Sequence, residues 1–252
     1  MSNFKIEIAD LKKAFFGKEV LEGINLSVEQ GEIFSIIGKS GSGKSVILKH
    51  LIGLLKPDTG DIFVEGEKYT GAEESARIKI ESKYGVLFQG AALFDSMNIF
   101  DNVAFGLRRI KMPETEIEKI VPDMLQKVGL RDVEDKYGRE LSGGMQKRAG
   151  LARSLVLKPE IMLYDEPTTG VDPISARAVD DLIVKTRDSF GVTSIIVTHD
   201  MKSAFRISDR IAMLFEGRII FTGTPEEVKN TDNPYIKQFV EGRAAGPIKT
   251  VE

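Results

Sequence analysis

The sequence predicts an α/β fold, and three features carry that expectation. Two N-terminal stretches alternate apolar and polar residues, as half-buried antiparallel strands do. Three short apolar runs lack that alternation, as strands buried on both faces of a parallel sheet do. The middle third of the chain then changes to a helical period. The expected architecture is an N-terminal antiparallel β subdomain, an α/β core, and an α-helical subdomain inserted from about residue 90 to residue 158.

Taken in order, Phe4, Ile6 and Ile8 alternate with Lys5 and Glu7, and Ile24, Leu26 and Val28 alternate with Asn25 and Ser27, giving two strands with one apolar face. Ile33–Ile37 reads as a buried strand ending at Gly38, and Val46, Ile47, Leu48 and Leu51 as the helix that follows a glycine-rich turn. Ile62–Val64 and Tyr84–Phe88 read as short strands, the second leading to Gln89. Ile117, Ile120, Val121, Met124, Leu125 and Val128 have helical spacing stopped by Gly129. Ile161–Tyr164 and Ser194–Thr198 are buried-strand runs separated by a helix that starts at Asp172-Pro173. Ile211–Phe215 and Arg218–Phe221 form a hairpin across Glu216-Gly217, Thr224-Pro225-Glu226-Glu227 is a capping box, and Asn233-Pro234 opens a last helix. From Gly242 the tail has no period and is expected to be extended or mobile.

Composition removes several classes of function. Among 252 residues, 35 Lys and Arg face 38 Asp and Glu, a net charge of −3, so no global field draws the chain to nucleic acid or anionic lipid. No cysteine excludes disulfides, iron–sulfur ligation and cysteine-held zinc, and two histidines leave little for a histidine metal site. What remains is oxygen-ligand chemistry. No apolar run approaches the roughly 18 residues of a membrane span, and the N-terminus alternates where a signal peptide would be solidly apolar. The chain by itself is therefore expected to be soluble and intracellular.

Three motifs carry chemistry. Gly38-Lys39-Ser40-Gly41-Ser42-Gly43-Lys44-Ser45 fits the Walker A pattern. Its glycines let the backbone wrap a polyphosphate at a helix start, Lys44 adds charge at the β- and γ-phosphates, and the Ser45 hydroxyl can ligate Mg²⁺. Asp165 and Glu166 stand at the carboxyl end of an apolar run, where α/β sheets bind ligands; the first carboxylate suits Mg²⁺ and the second suits proton abstraction from water. Leu141-Ser142-Gly143-Gly144 opens a helix whose small first turn can hold an anion, and no packing reason for three small residues in a row is visible in the sequence.

The Walker A motif, Gln89 after a strand, the Leu-Ser-Gly-Gly signature, Asp165-Glu166, Asp172 in Gly-Val-Asp-Pro and His199 after Ile-Ile-Val-Thr stand in the order of an ABC-type ATPase subunit. The chain resembles that family from about Phe4 to Phe221. The resemblance implies a P-loop NTPase (RecA-like) core, one ABC ATPase domain over residues 1–242 and a C-terminal tail over 243–252. It implies a head-to-tail homodimer with two ATP molecules at its interface. Gly38, Lys39, Ser40, Gly41, Ser42, Gly43, Lys44, Ser45 and Val46 of one subunit would hold each nucleotide, with Phe15 stacked on adenine and Phe16 as the rival aromatic. Ser45, Gln89 and Asp165 would serve Mg²⁺, Glu166 the attacking water, and His199 the γ-phosphate. Ser142, Gly143 and Gly144 of the other subunit would cap that phosphate, and Asp172 would signal between the sites. His50 matches no functional position and reads as structural.

A finer likeness lies in Leu87–Val103, which is similar to the ATPase subunits of Mla-type (Mce-associated) phospholipid transporters. Met145 in the signature helix and Gln238–Gly242 before Gly246-Pro247 agree with it. That family implies a multispan permease, a lipid-binding protein with an Mce domain, a STAS-domain subunit, and a place at the cytoplasmic face of the inner membrane. The cargo implied is glycerophospholipid moving between the two membranes of a diderm bacterium. An importer of another solute, such as a polar amino acid, and a soluble cofactor-assembly ATPase stay open beside it. A non-hydrolysing module would have lost Lys44, Glu166 or His199. The zinc cysteines and long coiled coils of DNA-repair members are absent, so no nucleic-acid partner is expected.

Overall fold

The computed structural model describes residues 4–249, which fall into two compact units: residues up to Glu81 together with those from Ile195 onward, and Ser82–Ser194. In the first unit, β1 (Phe4–Phe15) and β2 (Lys18–Glu29) pair antiparallel and bury Ile6, Ile8, Leu11, Ile24 and Val28, the face that the alternation marks. β3 (Ile33–Ile37) is buried at all five positions. After the glycine-rich turn come α1 (Lys44–Leu51), β4 (Thr59–Val64), β5 (Glu67–Lys68) and α2 (Glu74–Glu81). β4 adds to β1 and β5 to β4, so the antiparallel sheet has the order β2-β1-β4-β5.

The second unit begins with β6 (Tyr84–Leu87) and continues through α3 (Ile99–Arg109), α4 (Glu114–Lys127), a 3₁₀ turn at Gly138–Glu140 and α5 (Gly143–Leu155). α4 buries Ile117, Val121, Met124 and Leu125 on one stripe and accommodates Pro122 within it. β7 (Ile161–Asp165) lies parallel to β6, and α6 (Pro173–Phe190) follows, capped by Asp172 with proline in its first turn. β8 (Thr193–Thr198), wholly buried, runs across the division in the chain.

Back in the first unit are α7 (Met201–Ile207), β9 (Arg210–Phe215), β10 (Arg218–Gly223), α8 (Pro225–Asn230) and α9 (Pro234–Glu241). β9 runs parallel to β3, and β9 and β10 form the expected hairpin, with Glu216 and Gly217 both at positive φ of 44° and 73°. The Thr224–Glu227 capping box and the Asn233 cap are present. Among the described residues no helix is long and apolar enough to cross a membrane.

Two readings need correction. α2, β5 and α7 carry too little apolar periodicity to be seen in sequence; α2 buries only Ile80. The tail is not extended through Ile248. It folds back beside α9, where the Gln238 amide donates to the carbonyls of Arg243 at 3.2 Å and Ile248 at 3.0 Å. Its Oε1 accepts the Ile248 N–H at 2.7 Å, and Ile248 packs on the core around Ile211, Met213 and Ile236. Gln238 thus supplies three of the tail's hydrogen bonds, and the Lys39 ammonium adds one to the Lys249 carbonyl at 3.2 Å.

Candidate functional site

The first unit carries the Walker A loop. Gly38 ends β3 where a β-carbon would come within 2.4 Å of the Leu214 carbonyl oxygen, so no side chain fits. Gly43 caps α1 at φ 105°, against Leu21 and Val20, a conformation and a space that suit glycine. Lys44 is buried across the loop and donates to the carbonyls of Gly38 at 2.8 Å and Lys39 at 3.2 Å. The Ser42 hydroxyl is buried without a hydrogen-bond partner among the described residues. Such an orphan costs about 1–3 kcal/mol, and an anion accepting its hydrogen bond would remove that cost. A loop ending in a helix start, a lysine within it and an unpaired hydroxyl fit a polyphosphate.

The second unit carries the paired carboxylates. Leu87 of β6 lies opposite Tyr164 of β7 in parallel register, so Gln89 and Asp165-Glu166 leave the two strands at the same end. Glu166 is buried at φ 49°, a left-handed conformation uncommon outside glycine. Thr169 holds it, donating its hydroxyl to Glu166 Oε2 at 3.1 Å and its N–H to the Glu166 carbonyl at 3.2 Å. Lys147 of α5, also buried, donates to the carbonyl of Glu166 at 3.2 Å and to that of Gln89. Burial holds the Lys147 ammonium below its ordinary pKa, while the charges of Asp165 and Glu166 oppose that shift.

Ser142 caps α5, accepting the Met145 N–H at 3.3 Å, and both Ser142 and Gly143 are exposed. Gly144 is not: a β-carbon there would lie 2.8 Å from Ser175 Cβ. The small residue is thus required by the packing of α5 on α6, a demand invisible in the sequence. Asp172 caps α6 through the amides of Ile174 and Ser175, each at 3.0 Å. Hydrogen bonds from the Ser175 side chain and amide hold its carboxyl below the usual range. Next to it, Ile174 is 84% exposed, a large apolar side chain presented to solvent.

The loop after Gln89 is built from α5 and α3. Ala91 and Ala92 both have positive φ, of 59° and 50°, and Arg153 secures them by donating to the carbonyls of Ala91 at 3.0 Å and Ala92. Gly150 of α5 makes room, since a β-carbon there would be 2.9 Å from the Ala91 carbonyl oxygen. Buried Asn102 of α3 then closes the loop, accepting the Phe94 N–H at 2.7 Å and donating to the carbonyls of Phe94, Met97 and Asn98. The rings of Phe94 and Phe105 meet at 4.8 Å and are both exposed, beside a groove of about 380 Å³ lined by Met97, Asp101, Phe105, Arg108 and Arg109.

Phe15 ends β1 half-buried, with Lys13 over its ring, whereas Phe16 is fully exposed at φ 51° in the turn. His199 is exposed just past β8. His50 is buried on α1, its Nδ1 donating to the Val46 carbonyl at 2.7 Å, and burial holds its pKa below the ordinary imidazole value. Phe15, the Walker A residues and His199 therefore belong to the first unit, and Gln89, Ser142–Gly144, Asp165, Glu166 and Asp172 to the second. Within the second unit the fold brings Gln89 and Glu166 onto one lysine. Lys147, Thr169 and Arg153 escaped sequence reasoning because each acts on a backbone carbonyl or a neighbouring carboxylate through folding alone. The hint in the sequence was three cations, Lys147, Arg148 and Arg153, on a helix that otherwise buries much of its surface.

Residues 21–169 match the family described as ABC transporter, and this chain belongs to it. It is an ATP-binding, ATP-hydrolysing transporter subunit that uses Mg²⁺. The chain is 43% identical over 96% of its length to the probable ribonucleotide transport ATP-binding protein mkl of Mycobacterium leprae, covering 70% of that protein. It is 37% identical over 93% of its length to the methionine import ATP-binding protein MetN of Carboxydothermus hydrogenoformans, covering 71% of it. It is 35% identical over 99% of its length to the intermembrane phospholipid transport system ATP-binding protein MlaF of Haemophilus influenzae, covering 95% of it. Among solved structures, cbiO1 of Clostridium perfringens, part of the cbiONQ complex, superposes with a TM-score of 0.83 at 30% identity, covering 96% of this chain and 95% of that one. The dimeric MJ0796 cassette bound to ADP and phosphate gives 0.79 at 29% identity, covering 87% and 98%.

Proposed function

We propose that this chain powers phospholipid transport between bacterial membranes, acting as a homodimer on a separate multispan permease at the cytoplasmic face of the inner membrane. The observation that carries the reading is the Leu87–Val103 segment. Its likeness to Mla-type subunits coincides with a loop fixed by Arg153 and Asn102 that presents Phe94 to solvent against exposed Phe105 of α3. An exposed aromatic pair on a rigid support suits a protein partner better than a solvated face. The near end-to-end match with the intermembrane phospholipid relative supports the same reading.

In this reading Phe15 stacks on adenine, and Gly38, Lys39, Ser40, Gly41, Ser42, Gly43, Lys44, Ser45 and Val46 hold the phosphates. Ser45, Gln89 and Asp165 supply oxygen donors of the kind Mg²⁺ takes, and the bound ion would neutralise charge on the transferred phosphoryl group. Glu166 takes the proton of the attacking water, held by Thr169 against reorientation. His199 hydrogen-bonds the γ-phosphate. Ser142, Gly143 and Gly144 of the second copy close over it, and Asp172 passes the state of one site to the other. An Mce-domain protein and a STAS-domain subunit complete the assembly.

Import of another solute is the competing reading, supported by the slightly higher identity to the methionine import protein. Purification of the tagged chain from its native membranes separates the two. A permease with an Mce-domain protein, and ATPase activity that responds to phospholipid, support lipid transport; a periplasmic solute receptor in their place overturns it.

A further inference from the structure

The Lys147 ammonium sits inside the second unit with only 5% of the residue exposed, and its two polar contacts described above are both backbone carbonyls rather than carboxylates. Burying a cation is expensive, and here the charges of Asp165 and Glu166 offset only part of that cost, so the lysine supplies something an apolar residue could not. The two carbonyls belong to Gln89 and Glu166, which leave adjacent parallel strands. Both acceptors lie in conformationally demanding stretches. Glu166 itself has φ 49°, and Ala91 and Ala92, two and three residues past Gln89, have φ of 59° and 50°. Left-handed backbone at such residues persists only where the surroundings hold it. Six residues along the same helix, Arg153 grips the carbonyls of Ala91 and Ala92. A cavity of about 290 Å³, lined by Gln89, Gly143, Lys147, Thr169 and Gly170, lies against the lysine.

We propose that Lys147 is a positioning residue for ATP hydrolysis: by tying the carbonyl of Gln89 to that of Glu166, it makes the location of the Gln89 loop set the location of the Glu166 carboxylate. The ammonium and the Thr169 N–H both donate to the Glu166 carbonyl, so loss of the ammonium loosens the backbone that carries the carboxylate. The inference rests on Glu166 being the base, as argued above.

The test uses the purified full chain, with single-turnover hydrolysis, KM for ATP and urea unfolding measured for Lys147→Met and Lys147→Gln, alone and combined with Glu166→Gln. A shift of about 1 Å at a catalytic group costs up to about 10²-fold, so Lys147→Met should lower kcat by about 10–100-fold. KM and the unfolding midpoint should stay within about two-fold and a few tenths of a molar. Lys147→Gln, which keeps a donor for one carbonyl, should fall between. In the Glu166→Gln background the Lys147 substitutions should add less than about two-fold, because a residue acting through the base has nothing left to position. Unchanged kcat in Lys147→Met, or its full loss recurring on top of Glu166→Gln, overturns the proposal. Should Lys147→Met fail to fold, Lys147→Gln carries the same two comparisons. Wild-type turnover in Glu166→Gln alone overturns the assignment of the base, a failure seen before Lys147 is changed.

Discussion

Gly144 and Ser175 are packed so closely that a β-carbon on Gly144 would stand 2.8 Å from Ser175 Cβ. The signature glycine thus has a structural duty, joining the start of α5 to the start of α6, besides any part in binding phosphate. Gly144→Ala should destabilise the chain by about 1–3 kcal/mol through overpacking, despite alanine's better helix propensity. Urea unfolding checks this. Combining it with Ser175→Gly should remove most of the added cost relative to Ser175→Gly alone; full additivity would show that the two residues do not touch.

Glu166 follows the strand-end carboxylate Asp165 and is buried with its side chain held by Thr169. Glu166→Gln should slow hydrolysis by about 10²–10⁴-fold while ATP binding persists, since only the proton acceptor is lost. The stalled protein should accumulate as ATP-bound dimers in light scattering, and adding Ser142→Arg should abolish them by filling the exposed helix start with a bulky cation. Dimers that survive Ser142→Arg would place the interface elsewhere.

Phe94 is 40% exposed and packs its ring on Phe105, and it lies in a loop whose backbone Asn102 holds. Phe94→Asp should leave folding and ATP binding intact while the permease no longer co-purifies. Retention of the permease by a folded Phe94→Asp protein would count against this surface.

His50 gives a pH signature. Its folded-state pKa lies below the ordinary value because burial disfavours the imidazolium, so the unfolded chain takes up the proton more readily. Stability should be flat in this respect above about pH 6.5 and should fall as the pH drops from there to the lower folded value. The slope from one group is at most about 1.4 kcal/mol per pH unit. His50→Gln should lack this component, as read by urea unfolding between pH 8 and pH 5. A variant with the parent's full acid slope would assign the effect to other groups.

Much of the fold was legible because its signals are local. Ile33–Ile37 and Ile161–Tyr164 are apolar without interruption because both faces are covered, and Asp172-Pro173, Thr224 and Asn233 are caps whose side chains bond to amides two or three residues on. The glycines at Gly38 and Gly43 are readable as a motif, though the reasons for them, the Leu214 carbonyl and the packing of Val20 and Leu21, are distant in the chain. α2 and α7 were missed because short helices with one or three buried residues leave no period.

By itself the sequence determined the family, the order of the motifs and the residue types available for chemistry, since these depend on spacing and side-chain identity. The tertiary structure alone decided that Gly144 is small for packing and that the tail to Ile248 is tied by Gln238. It alone decided that Gln89 and Glu166 share Lys147. The physical reason is common to all three. Each is a contact between atoms brought together from separate segments, and in the last two the partner is a backbone group that every residue carries, so no side-chain pattern announces it.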